Sequence, residues 1–442
     1  MKKVTESSDE SREEFNNEEE TCQERLESVE RVLKLSETDS HLLTTVDSIE
    51  CLAGSQQGDN YMSIIKRILV RGKRQAWNSD KKKDFFISLI FKRQIVNLQR
   101  RKLFRADEAF ANEINTYTQL VPVLRKFSRD RLPFPRCIYA GKDTEGDLIV
   151  LEDLRCNGFR MMDRRRGLSY RQCRVVVREL ANLHAVSLAM KQVQPVMFHT
   201  MKEKVTEIVY SDSAAEFYTH CLESSVSGTL ESLSFSNSSG CLDGAIKAIE
   251  RLSGRLYRIM SATVRHSFEP WNVLSHGDTW INNLMFSENH DQVRLIDLQA
   301  MRYTSPVIDI LHLLYTSTDS KLREVHTDDL IRCYQESLMD ALRAYVPAQK
   351  RFVLPVLEAT FTYENIRNEY DSRILYGLGI AMWLLPAVTF HPDHIPDLDD
   401  ITMSDFTTKN NEKIQQMFSA DYHSRMRETV LEFYRSGLLD EI

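Results

Sequence analysis

The feature that most constrains the fold is a pair of segments, each with one Asp, on either side of the short polar turn 287–291. The first reads HGDTWINN (residues 276–283) and the second reads VRLIDLQ (residues 293–299). The apolar residues that flank the polar turn predict the two strands of a hairpin. Such a ribbon would bring Asp297 beside the loop that carries Asp278 and Asn283.

The two acids and the amide match the chemistry of phosphoryl transfer from ATP. In that reaction one Asp orients the attacking hydroxyl and takes its proton, while an Asn and a second Asp hold the Mg²⁺ that neutralises the phosphates. We therefore expect Asp278 to be the catalytic base and Asn283 and Asp297 to be metal ligands. Gly277 would let the backbone turn sharply beside a ligand. The alternative is a surface hairpin whose acids cap turns.

Charge is concentrated at the N-terminus. The formal net charge is −7, and residues 1–30 hold 11 acids and 4 bases, which is 4 − 11 = −7, so the remainder is about neutral. A neutral body gives no general case for nucleic-acid binding. A basic run over residues 66–105 alternates with strand residues and is better explained as a solvated face. We expect residues 1–42 to be a disordered acidic tail.

No targeting or membrane segment is expected. The N-terminus lacks the apolar core of a signal peptide, and the longest apolar run, residues 376–390, is too short to span a bilayer and contains Pro386. The eight cysteines include no CxxC pair, which predicts reduced thiols and a cytoplasmic protein without a membrane partner.

The periodicities predict a chain of the α+β class. Strand patterns precede residue 152 and helical patterns dominate after it, whereas the serine-rich stretch 223–240 predicts a loop. We expect a two-lobed protein-kinase-like fold: a small β-rich N-lobe over residues 43–152 binds the nucleotide, and a large helical C-lobe over residues 153–442 holds the catalytic and acceptor sites. A nucleotide would then lie in a cleft between the lobes.

That layout indicates where the other parts of a kinase should lie. A lysine on a central strand should pair with a glutamate on the next helix, and Lys92 and Glu113 have that order. The alternatives are a solvated strand end and an ordinary helix-surface charge. A phosphate-covering loop should lie between the first two strands, where Gly58, Asn60 and Ser63 could present backbone groups to phosphate. A plain loop explains these three equally well.

With these residues in hand, the chain resembles the ecdysteroid kinase-like (CHK kinase-like) family, whose fold is similar to choline kinases and aminoglycoside phosphotransferases. The resemblance is carried by HGDTWINNLMF and RLIDLQAMRYTSPVIDILHLLY, with support from GDNYMS, FANEINTYTQLVPVL, IVLEDLRCNGF and ELANLHAVSLAM. It implies an enzyme that uses ATP and Mg²⁺ to phosphorylate a small-molecule hydroxyl. The family commonly has IDFQ where this chain has IDLQ.

The resemblance also implies roles for individual residues. Glu152, Asp153 and Leu154 would meet the adenine through backbone groups, and Asp309 would brace the catalytic loop. His184 falls at a family motif position, although a core histidine with satisfied hydrogen bonds explains it as well.

The acceptor is expected to be an apolar alcohol. The resemblance favours an ecdysteroid or similar steroid. The alternatives are a kinase for a choline-like or other small molecule and a catalytically idle kinase-like protein that binds a ligand. Aromatic and flexible apolar side chains near the C-terminal third would either line the acceptor pocket or merely form the core of the lobe: Tyr363, Tyr370, Tyr376, Met382, Trp383, Leu384 and Phe390. For a quaternary amine, the charge would come from Glu364, Glu369 or Asp371. The sequence leaves the oligomeric state open.

Overall fold

The computed structural model describes residues 27, 29–34, 42–54, 63–76, 80–143, 146–237, 240–266, 268–390 and 418–440. The predicted phosphate-loop residues Gly58 and Asn60 lie outside these ranges. Contacts between residues divide the chain into two units. The first comprises residues 1–56, 63–94 and 136–156, and the second comprises residues 57–62, 95–135 and 157–442.

The first unit is built on a five-stranded antiparallel sheet of order β1-β2-β3-β5-β4. Its strands are β1 Leu42–Ala53, β2 Ser63–Ala76, β3 Lys82–Gln94, β4 Cys137–Asp143 and β5 Gly146–Glu152. β2 and β3 are rich in β-branched and aromatic residues, which favour a half-buried pleated surface. One face of the sheet carries an apolar core that includes Val70, Leu89 and Val150.

The N-terminal region contains a helix, α1, over the described residues 29–34. Val29, Val32 and Leu33 are at most 3% exposed and belong to the core of the sheet. The predicted disordered tail of residues 1–42 is therefore wrong for this segment. These three apolar residues recur at helical spacing and form a stripe on one face of α1. The prediction of disorder rested on the acidic composition of the region, in which so short a stripe was not recognised.

Replacing Leu33 by Ala is expected to destabilise the protein by about 2–5 kcal/mol, because a buried leucine loses its packing and leaves a cavity. Chemical unfolding measures the change, and Arg31→Ala on the exposed face of α1 is the control. Equal stabilities for the two variants would show that α1 contributes nothing to the core.

The second unit is mostly helical. Its helices are α2 Leu98–Leu103, α3 Ala106–Asn115, α4 Val121–Ser128, α5 Tyr170–Val193, α6 Pro195–Lys202, α7 Ala215–Phe235, α8 Asp243–Glu250, α9 Leu256–Arg265, α10 Val307–Ser317, α11 Ser320–Tyr345, α12 Leu354–Thr360, α13 Tyr363–Ser372, α14 Ile374–Thr389 and α15 Ala420–Arg435, and a π-helical turn, Thr116–Leu120, joins α3 to α4. The predicted α+β class is confirmed. The first unit ends near the predicted boundary at residue 152, but the stretch 95–135 belongs to the helical unit.

Short strands inside the second unit carry the predicted hairpin. They are β6 Arg160–Met161, β7 Val273–Ser275, β8 Leu284–Phe286, β9 Val293–Leu295 and β10 Arg302–Thr304. β8 pairs with β9 in antiparallel register, and β7 pairs with β10. The predicted ribbon is present, and its polar turn begins at Ser287.

The prediction of a loop for the serine-rich stretch 223–240 is wrong, because most of this stretch lies in α7. Its hydroxyls are satisfied inside the helix: Ser225 donates to the carbonyl of Cys221, and Thr229 donates to the carbonyl of Ser225. Gly228 admits the ring of Phe418, which would lie 2.5 Å from an added Cβ. Hydrogen bonds within the helix and the packing of Phe418 thus outweigh the local composition here.

Among the described helices, none by itself has the length and apolarity needed to cross a membrane. Taken together, α13 and α14 pass that test of length and composition, but they are bent by 54°. Most of α14 is buried inside the protein.

Candidate active site

The loop that carries Asp278 is shaped by a glycine. Gly277 has φ of +82°, and an added Cβ would lie 2.0 Å from the carbonyl oxygen of Ala300. Only glycine fits a left-handed position with so close a backbone approach. The predicted sharp turn is therefore confirmed, and it brings the segment after Asp297 directly against the loop.

A buried carboxylate fixes the backbone at the start of this loop through hydrogen bonds. Asp309 in α10 accepts hydrogen bonds from the backbone N–H groups of His276 and Gly277, each at 2.8 Å. Nε2 of His184 lies 3.1 Å from the same carboxylate, and Nδ1 of His184 lies 2.9 Å from the hydroxyl of Tyr334. The expectation that Asp309 braces the loop is met by this geometry. His184 is a core histidine with both ring nitrogens bonded, and it acts through Asp309.

These donors keep Asp309 ionised. Burial by itself raises the pKa of this carboxyl, but the hydrogen bond from His184, the nearby His276 and the N–H of Gly277 together lower it well below its usual range. A buried carboxylate with several donors is a rigid support, since no water competes for its oxygens.

Asp278 is held between two side chains. Its Oδ2 accepts a hydrogen bond of 2.8 Å from Nδ2 of Asn283, and its Oδ1 lies 3.4 Å from Nε2 of His312. Burial raises the pKa of Asp278, but the contact with His312, the nearby His276 and the amide of Asn283 outweigh it, so the pKa is lowered. With 24% of the side chain exposed, this carboxylate is ionised at neutral pH and accessible.

Sequence reasoning missed His312. It lies one turn after Asp309 on α10, so the two side chains share a face of the helix. Nδ1 of His312 lies 3.1 Å from the hydroxyl of Tyr376, which orients the ring toward Asp278. The three-residue spacing to Asp309 was the only signal in the sequence, and it could not show that Asp278 would lie opposite.

Asp297 has an unusual backbone. Its φ is +65° and its ψ is +76°, in the left-handed region where Asp and Asn are the least disfavoured of the residues with a side chain. The preceding Ile296 is fixed on both sides: its N–H donates to the carbonyl of Asn283, and its carbonyl lies 3.0 Å from Nε2 of His276. Strain of this kind commonly marks functional positions.

Asn283 and Asp297 fit a magnesium ion chemically. Because Nδ2 of Asn283 donates to both the carbonyl and Oδ2 of Asp278, Oδ1 is the amide atom left to face a cation. Mg²⁺ is commonly held by one or two protein oxygen ligands together with substrate phosphates. Within the described ranges no group of three His, Cys, Asp or Glu side chains could hold a metal ion. A Mg²⁺ ion at this place would therefore also need oxygens of the substrate phosphates.

Lys92 and Glu113 lie in different units. Lys92 is 3% exposed in β3, where it pairs with Ile65 of β2 and Ile149 of β5. Glu113 is fully buried in α3, and its Oε1 accepts a hydrogen bond of 3.3 Å from the N–H of Leu298. Because both side chains are buried, Lys92 is not a solvated strand end and Glu113 is not an ordinary helix-surface charge. The ion pair between them stays a prediction.

The remaining predicted nucleotide contacts lie in the first unit. Ser63 is buried at the start of β2. The carboxylate of Glu152 accepts a hydrogen bond of 2.7 Å from the N–H of Arg136. Asp153 accepts bonds from Ser88 and Arg67, and although burial raises its pKa, these donors lower it overall. Leu154 is buried and begins a 3₁₀ turn. The two carboxylates fix their own segment, and the backbone contacts with adenine stay a prediction.

A largely apolar cavity of about 270 Å³ opens beside Asp278 within the second unit. Asp278, Asn283 and Asp297 line it together with His312 and Arg302. Of the predicted pocket residues, five line the cavity and two do not. Those that line it are Tyr376, Met382, Trp383, Leu384 and Phe390, and those that do not are Tyr363 and Tyr370.

The acids predicted for a cationic acceptor are placed elsewhere. Glu364, Glu369 and Asp371 do not line the cavity. Glu369 pairs with Arg373 at 2.6 Å, and Asp371 pairs with Arg367 at 2.9 Å. Their neighbouring arginines were visible in the sequence, at the four-residue spacing of helical ion pairs.

The ionised carboxylate of Asp309 predicts that the free energy of unfolding of the protein depends on pH. Asp309 has a folded pKa below the unfolded value of about 3.9, so its contribution is fully present above about pH 4 and is lost as the pH falls toward the folded pKa. Asp309→Asn is therefore expected to lower the free energy of unfolding by about 2 kcal/mol or more at pH 7 and by less at pH 3. Urea unfolding at both values measures this, with the exposed Asp340→Asn as control. An equal loss at both pH values would contradict the ionised brace.

Comparisons with known proteins give one family and several distant structures. The model of the ecdysteroid kinase-like family matches residues 57–345. A comparison with curated protein sequences found no match. Among solved structures, the Plasmodium vivax ethanolamine kinase has 11% identity and a TM-score of 0.38, covering 86% of this chain and 85% of its own.

Two further structures are similarly distant. The GDP complex of wild-type aminoglycoside 2′-phosphotransferase-IIIa has 14% identity and a TM-score of 0.35, covering 76% of this chain and 92% of its own. A choline/ethanolamine kinase family protein from Mesorhizobium loti has 14% identity and a TM-score of 0.32, covering 82% and 99%. Likenesses at this level carry no argument about the chemistry, which rests on the family match and on the geometry of the site.

Proposed function

Since this chain belongs to the ecdysteroid kinase-like family and is therefore a small-molecule kinase, we propose that it transfers the γ-phosphoryl group of ATP to a hydroxyl of a largely apolar alcohol. The observation that carries the proposal is the position of Asp278, whose ionised carboxylate lines the apolar cavity with both metal-ligand candidates beside it.

The proposed reaction is a displacement at phosphorus. The acceptor oxygen bonds to the γ-phosphorus, the bond from that phosphorus to the bridging oxygen of ADP breaks, and the hydroxyl proton passes to Asp278. A carboxylate with a lowered pKa is a weak base, so its main contribution is to orient the hydroxyl before the proton moves late in the reaction. Asn283 and His312 fix the carboxylate for this task.

The cofactor of this reaction is proposed to be Mg²⁺, held by Asn283 and Asp297. When bound, it would neutralise charge on the phosphates. The left-handed backbone of Asp297 and the bonds that fix Ile296 keep the carboxylate and the amide in register. Their preset geometry reduces the reorganisation that binding would otherwise require.

Among acceptors, we propose an ecdysteroid or another steroid first. The apolar side chains that line the cavity, including Trp383, Met382 and Phe390, suit a broad hydrocarbon body. A choline-like cation is less well supported. Of the described lining residues only Asp278 and Asp297 are acids, and both are assigned to catalysis and metal binding.

A competition assay tests this choice. The protein is supplied with ATP, Mg²⁺ and an equimolar mixture of an ecdysteroid, choline and an aminoglycoside, and the phosphorylated products are identified by mass spectrometry. We expect the steroid phosphate to dominate. Phosphorylation of choline with none of the steroid would overturn the acceptor. No transfer to any of the three, together with steroid binding in isothermal titration, would indicate a ligand-binding protein instead.

A further inference from the structure

Arg302 occupies a place that neither the motif nor the proposed chemistry explains. It begins β10 and lies opposite Ser275, the residue before the catalytic loop. Its side chain is 4% exposed, and its Nε donates to the carbonyl of Ala300 at 3.3 Å and lies 3.4 Å from a carboxylate oxygen of Glu207. An added Cβ on Gly277 would lie 3.0 Å from the same Nε. The guanidinium therefore lies directly beside the residue that precedes Asp278.

One end of this guanidinium has no hydrogen-bond partner among the described residues. Nη1 of Arg302 is buried and makes no hydrogen bond within the described part of the chain. A buried N–H of a charged group that lacks an acceptor costs free energy, and in native structures such a group nearly always has a hydrogen-bond partner. Because Arg302 lines the cavity beside Asp278, an oxygen of a bound molecule could satisfy it.

The charge of Arg302 restricts what that molecule can be. Burial lowers the pKa of the guanidinium, but Glu207 and the surrounding tyrosine hydroxyls outweigh it, so the pKa is raised and the group stays cationic. The face of Tyr210, 5.2 Å from Cζ, stabilises the same cation. A charged N–H group donates strongly to oxygen, so the partner that fits is an oxygen of the acceptor near the reacting hydroxyl.

We propose that Arg302 is a specificity-determining residue whose Nη1 donates a hydrogen bond to a second oxygen of the acceptor. The acceptor class is then the apolar alcohols in which another hydroxyl or a carbonyl stands beside the hydroxyl that is phosphorylated. This inference rests on the proposed function, because it assigns the acceptor to the cavity at Asp278.

The first test uses the wild-type protein. Isothermal titration compares a steroid that carries a vicinal diol with the same steroid lacking one of the two hydroxyls. A lost hydrogen bond to a charged donor predicts that the diol binds about tenfold to a hundredfold more tightly. Equal affinities, or no binding of either steroid, would overturn the proposal.

Variants assign the preference to the side chain. Arg302→Met is expected to bring the affinity ratio of diol to mono-ol close to one, mainly by weakening the diol, and Arg302→Lys should retain part of the preference. Arg323→Met is the control, because it removes an equally buried guanidinium that bonds Glu432 and Thr429 and does not line the cavity. If Arg302→Met does not fold, the wild-type comparison and Arg302→Lys still decide the matter.

Two further measurements separate this inference from the proposed function. ATP affinity should be unchanged in Arg302→Lys, and a tenfold loss of ATP affinity with the diol preference intact would show that Arg302 serves the phosphates. Equal transfer to both steroids would support the kinase and overturn the role of Arg302. Selective binding of the diol without transfer would support the role of Arg302 and overturn the kinase.

Discussion

Asp278→Asn is expected to lower turnover by about 10²–10⁴-fold, because the variant loses the carboxylate that orients the acceptor hydroxyl and takes its proton. The amide keeps the size of the side chain, so folding should be retained, but it cannot take the proton of the acceptor hydroxyl. The substitution also alters a contact of Asn283. In the wild type, Nδ2 of Asn283 donates a hydrogen bond to the carboxylate of Asp278.

Steady-state kinetics and nucleotide titration of the same preparation measure this effect. We expect kcat to fall while the affinity for ATP changes little. Glu288→Gln is the matched control, because it neutralises an exposed acid in the turn of the same hairpin. A folded Asp278→Asn protein with wild-type turnover would remove Asp278 from the base role.

Asp297→Asn is expected to lower activity by at least about 100-fold and to abolish the effect of Mg²⁺ on nucleotide affinity. The figure is a lower bound, since groups that only support a metal ligand already contribute 10–100-fold. Asparagine tolerates the left-handed backbone at this position, so the loss reports the missing charge rather than a strained turn.

Calorimetric titration with ATP over a range of Mg²⁺ concentrations checks this expectation. The wild type and Glu288→Gln should both show affinity that rises with Mg²⁺, and Asp297→Asn should not. Unchanged magnesium dependence in the variant would contradict the assignment of Asp297 as a ligand, whatever happens to turnover.

The parts of the site that were predictable are local in sequence. Asp278 and Asn283 lie five residues apart in one loop, and a polar turn with apolar flanks indicated that a hairpin would return Asp297 to it. Glycine at 277 was interpretable for the same reason, since a sharp turn is a local property of the backbone. For such residues spacing carries most of the geometry.

The parts that were missed depend on distant contacts. His312 and Arg302 look like ordinary helix and strand residues, and only the packing of α10 and β10 against the loop places them at the cavity. Residues 223–240 were predicted to form a loop because they are rich in serine, but most of them lie in α7, where the hydroxyls of Ser225 and Thr229 bond to the helix and the ring of Phe418 packs on Gly228. In α1 the surrounding acids outweighed three apolar residues whose partners lie in the sheet.

The most direct test of the central claim is to follow the phosphate. The wild-type protein and Asp278→Asn are incubated in parallel with γ-labelled ATP, Mg²⁺ and a metabolite extract, and labelled products are separated and identified. We predict a labelled phosphate ester of an apolar alcohol with the wild type and almost none with the variant. No labelled ester from the wild type, or equal labelling by both proteins, would contradict the assignment of Asp278 to a small-molecule kinase site.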